Sequence, residues 1–78
     1  MTDDSIPAGM AALSICEALL LALNDAKTLP EREILGILQD AAATHENAAG
    51  TEAEQALHAT VAALITRIIA GGNWVRRP

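Results

Sequence analysis

Two Thr-x-x-Glu steps, Thr28 to Glu31 and Thr51 to Glu54, constrain this chain more than any other feature, because they cut it into helical pieces. In such a step the Thr hydroxyl accepts from the third amide of a new helix while the Glu carboxylate reaches back to the Thr amide. Pro30 adds an N-terminal proline to the first box, and Gly50 supplies a stop before the second. Gly71 and Gly72 close the last segment. The punctuation predicts three helices, at about 8–26, 29–49 and 52–70, in one 78-residue domain with a short tail over 71–78. Ser5, Pro7 and Gly9 compete for the start of the first helix.

Periodicity agrees with this division. In the third helix Leu57, Val61, Leu64 and Ile68 recur at helical spacing, widened by Ile65 and Ile69. The second puts Ile34, Leu35, Leu38, Ala41, Ala42, His45 and Ala48 on one face. Helix 1 differs: Met10, Leu13, Ile15, Cys16, Leu19, Leu20, Leu21 and Leu23 occupy roughly two-thirds of its circumference, against the ~100° stripe of an ordinary surface helix. Phe and Tyr are absent and Trp74 is the only aromatic, which suits helices and not sheets. The expected fold is all-α, an antiparallel three-helix bundle.

Two neighbours in a three-helix monomer leave part of helix 1 in water. A chain of 8.1 kDa folds to a surface of ~4,500 Å², burying ~62% of what it exposes when unfolded, so its core is small and help from outside is expected. The lone Cys16 offers no intrachain disulfide. A homodimer through helix 1 is therefore predicted, with Leu13, Leu19, Leu20, Leu23 and Trp74 at the interface and Ala11, Ala18 and Ala22 admitting a close helix contact.

Charge and composition exclude several functions. Ten acids against five bases give a net charge of -5, which repels phosphate backbones and anionic lipid, and no aromatic platform exists for base stacking. The longest uninterrupted apolar run, Ala18 to Leu23, falls short of a membrane span, and acids stand where a signal peptide needs bases. The expectation is a soluble cytoplasmic protein with no nucleic acid or membrane partner. Cys16 lacks a neighbouring base, and no nucleophile triad, phosphate loop or Cys-x-x-Cys pair occurs, so neither an enzyme nor a cofactor is expected.

Two local features stand apart. His45 and His58 lie at similar distances from the turn at Gly50 and Thr51, so folding helix 3 back on helix 2 brings them level. With Glu46 or Glu54 they offer an alternative reading as a metal or small-ligand site, against the plainer one of a core histidine and a surface histidine. In the tail, Trp74, Val75, Arg76 and Arg77 join the only aromatic to two of the bases. This segment is suited either to anchoring a protein partner or to folding back over the bundle end. The leading reading is a structural or regulatory interaction module.

Glu17 to Asn24 (EALLLALN), Leu29 to Thr44 (LPEREILGILQDAAAT) and Arg67 to Pro78 (RIIAGGNWVRRP) together resemble a group of small, uncharacterised helical proteins of alphaproteobacteria. The resemblance implies a bacterial cytoplasmic source and carries over no activity, cofactor or catalytic residue.

Overall fold

A computed structural model of the chain describes residues 4–75. They form three helices, α1 (Ser5–Asp25), α2 (Glu31–Glu46) and α3 (Glu52–Gly71), with no strand among the described residues. α1 starts three residues earlier than its spacing predicts, which leaves Pro7 within the first turn, where its missing amide proton costs nothing.

The α1–α2 junction departs from the sequence expectation for a clear physical reason. Lys27 takes a left-handed conformation, φ 60°, and its amide donates to the Asn24 carbonyl at 3.0 Å, while the Thr28 amide donates to the Leu23 carbonyl at 3.0 Å. This pair of bonds is a Schellman closure, normally built on glycine. It uses Thr28 to end α1, so Thr28 does not cap α2, whose N-cap is Pro30 with no side-chain cap bond. Asn24 Nδ2 also donates to the Leu29 carbonyl at 3.3 Å, holding the connection tight. α2 then opens on Glu31 and Glu33, acids placed at the positive end of its dipole.

The second box forms as the sequence predicts. The Glu54 amide donates to Thr51 Oγ1 and the Thr51 amide donates to Glu54 Oε1, each at 3.1 Å. Gly50, at φ 141°, is needed beside it: a Cβ there would sit 3.2 Å from Glu54 Cβ, on a backbone that L-residues avoid. α2 ends three residues short of expectation because Asn47 caps it, its side-chain amide donating to the Ala43 carbonyl at 3.0 Å.

Packing divides unequally among the helices. α2 and α3 lie against each other, with Ala42 and Ala62 buried. Past α3, Gly72 turns through a left-handed conformation, φ 72°, and returns Trp74 and Val75 onto Ile34. Ile34 and Trp74 are the largest fully buried side chains, and Leu20, Leu29, Leu35, Leu38, Ile68 and Ile69 pack round them. α1 meets α2 only lightly and does not run along α3; among the described residues, none in α1 is buried. The chain is accordingly open and flat, with extents of 41 × 32 × 18 Å and a radius of gyration of 14.2 Å, against about 11.5 Å for a compact domain of this length.

The buried side of α3 is rotated from the expected stripe. His58, Val61, Ala62, Ile65, Ile68 and Ile69 turn inward, while Leu57 and Leu64 remain exposed. α3 is apolar on two sides, and only one of them meets α2.

Candidate functional site

Two places in this fold are available for chemistry or contact. The first is the free surface of α1. Ile6, Met10 and Leu13 follow one another at helical spacing along one side, and Ile15 and Leu19, a turn apart, lie along another. All five are exposed, Met10 and Ile15 each by 66%. Of the residues expected at an interface, Leu13 and Leu19 are in the open, Leu23 is half-buried, and Leu20 is turned toward the Ile34–Trp74 cluster.

Trp74 is a correction to that expectation. It is only 2% exposed, and its indole N–H donates to the Ile69 carbonyl at 3.1 Å, so both its apolar body and its polar edge are satisfied within the chain. An anchor for a partner has to be accessible, and this one is core. Arg76 and Arg77, the basic half of the same segment, lie outside the described residues.

The total accessible surface is 5737 Å². A monomer of this mass is expected to expose ~4,500 Å², so the excess is about 1,200 Å². Along α1, 21 residues include an 18-residue window of mean hydropathy 2.0. By length and composition this helix could cross a membrane, which the uninterrupted-run criterion missed because Glu17 and Asn24 interrupt it. Glu17 stands near the middle of the helix.

The second place is the contact of His45, in the last turn of α2, with His58 of α3. The two Nδ1 atoms are 2.8 Å apart, the ring centroids 5.0 Å apart and the planes inclined by 31°. Both side chains are half-buried. The level placement read from the turn is thus realised as a direct bond. One ring has to donate and the other accept, so one Nδ1 carries a proton and the other does not. Glu54, one turn before His58, titrates below the usual glutamate range: the Thr51 amide and hydroxyl hold its carboxylate ionised, and His58 adds a smaller pull in the same direction. No group of three His, Cys, Asp or Glu side chains is arranged to hold a metal among the described residues. Cys16 is exposed on α1.

No protein-family model, curated protein or solved structure matches the chain. What the molecule does has to be reasoned from its own geometry.

Proposed function

We propose that the protein is a non-catalytic, cytoplasmic interaction module that works as a homodimer, with α1 of one copy laid against α1 of the next. In the assembled state α2 and α3 of each chain pack antiparallel, and the two α1 helices, which stand away from α3 in their own chains, cover each other. The observation that carries this reading is the set of large apolar side chains that α1 leaves in the open, Ile6, Met10, Leu13, Ile15 and Leu19, on a helix with no buried residue among those described. Soluble monomers rarely leave a long row of large apolar side chains on one helix uncovered.

A bilayer would also cover an apolar helix, but two features favour a second protein chain. Glu17 would place a carboxylate near the middle of the span, at roughly 2.5–3.5 kcal/mol by insertion scales. Leu20 is packed on the α2–α3 core and ties the helix to a soluble unit. A twofold pairing needs only one self-complementary patch, and the Ile15–Leu19 side of α1 supplies it.

Light scattering over a dilution series tests the reading. A mass near twice 8.1 kDa at tens of micromolar is expected, falling toward the monomer in Ile15→Lys. A wild-type chain that stays monomeric, or that floats with phosphatidylcholine vesicles, would overturn it.

A further inference from the structure

The His45–His58 contact is a chemical oddity as a purely structural bond. A single N–H···N link between helices needs a proton on one Nδ1 and a bare lone pair on the other, and it brings the same nitrogen of both rings within 2.8 Å. Two imidazole nitrogens held this close, on different helices, are within reach of one chelated cation. We propose that His45 and His58 together bind a divalent transition metal of the zinc, nickel or copper class through their Nδ1 atoms, with water in the remaining positions.

The geometry requires little adjustment. Zinc–nitrogen bonds of about 2.0–2.1 Å at a tetrahedral angle place two ligand nitrogens roughly 3.4 Å apart. The rings, now at 2.8 Å, have to separate by about 0.6 Å and turn so that both lone pairs face the ion, and the proton on the donating Nδ1 passes through solvent to Nε2 of the same ring or is lost to water; side-chain rotation on two half-buried residues allows this. The electrostatics favour a cation as well. His45 stands at the C-terminal end of α2, where the last carbonyls carry partial negative charge, Glu46 follows it, and Glu54 brings an ionised carboxylate from α3. Neither carboxylate completes a three-ligand set with the rings, so the chain supplies two ligands and leaves open coordination positions. Imidazole pairs select borderline dications over hard ones such as magnesium. Because the two ligands come from different helices, the metal would tie α2 to α3 and its binding would appear directly as stability.

The test is thermal unfolding of the full chain, followed by circular dichroism, with zinc, nickel, copper or magnesium chloride. It is run in Cys16→Ser to remove the exposed thiol as a competing ligand. The expected result is a midpoint that rises with metal, on the order of 10 °C at a hundredfold excess over Kd, more with copper than with nickel, unchanged with magnesium and reversed by chelator. Titration calorimetry should give one ion per chain, and His58→Ala should lose the rise. No rise with millimolar zinc, nickel and copper, an equal rise in His58→Ala, or one ion per two chains would each overturn the site. Should His58→Ala fail to fold, electron paramagnetic resonance of the copper-loaded Cys16→Ser protein decides: coupling to two imidazole nitrogens supports the chelate and its absence refutes it. The site stands independently of dimerisation, since both ligands belong to one chain.

Discussion

α1 carries Ile6, Met10, Leu13, Ile15 and Leu19 in the open, whereas α2, α3 and the Trp74–Val75 return contribute every buried residue among those described. The most apolar helix is thus the least buried. The difference lies in pattern and connection, not in hydrophobicity. α2 keeps most of its large apolar residues on one stripe, with Ile37 alone of them in the open, and a short turn with a well-formed cap delivers the neighbour that covers that stripe. α1 is apolar on several sides, and the tight Schellman closure at Lys27 sends it away from α3. A stripe is satisfied within the chain, and an all-round apolar helix calls for more surface than the chain has to offer.

If the two regions are as unlike as this, perturbations should separate them. The largest effect is expected for Trp74→Ala, which empties the centre of the buried cluster and should cost about 3–5 kcal/mol, enough to unfold most of the population; urea denaturation measures it. Thr51→Ala removes the box that starts α3 and should cost about 1 kcal/mol. The other half of the box, the bond from the Thr51 amide to Glu54, should depend on pH. Because the folded-state pKa of Glu54 is depressed, chiefly by its bond from the Thr51 amide, the carboxylate's contribution is full above the ordinary glutamate range. It shrinks as the pH falls through that range and vanishes below the folded-state value. Denaturant midpoints of Glu54→Gln and wild type should therefore converge on acidification; a constant gap would refute the pairing. At the junction of the two regions, Lys27→Gly relieves a left-handed L-residue and should stabilise by about 0.5–1 kcal/mol in the same assay. The smallest effect on the fold is expected for Ile15→Ser, within about 0.5 kcal/mol for the monomer. A large loss there, at concentrations where the mass is monomeric, would mean that α1 is core after all.

The cap at Thr51, the left-handed glycine after α3 and the level placement of His45 with His58 were all legible in the sequence. Each depends on residues close in the chain, where bonding capacity and spacing decide the outcome. Three features were not legible. Nothing in Lys27 announces a left-handed residue, since glycine or asparagine normally marks that position, so Thr28 was read as a cap when it was needed to close the preceding helix. The sequence reads Leu57, Val61, Leu64 and Ile68 as one stripe of α3, but Leu57 and Leu64 stay exposed, because the helix is apolar over a wider arc than α2 covers and periodicity alone does not fix which edge of that arc faces inward. Trp74 had two suitable destinations, and the bond from its indole to Ile69 selects the inner one.

The return of Trp74 onto Ile34 makes the molecule its own spectroscopic instrument. As the only aromatic in the chain, Trp74 is the sole source of its near-ultraviolet fluorescence, and its buried cluster is built on the α2–α3 half, with α1 reaching it through Leu20. Its emission should report chiefly on that half and sense α1 only through Leu20, while the far-ultraviolet dichroism counts all three helices. Two melting curves recorded on one sample would then separate if α1 loosens first, and superimpose if the chain melts as one cooperative unit.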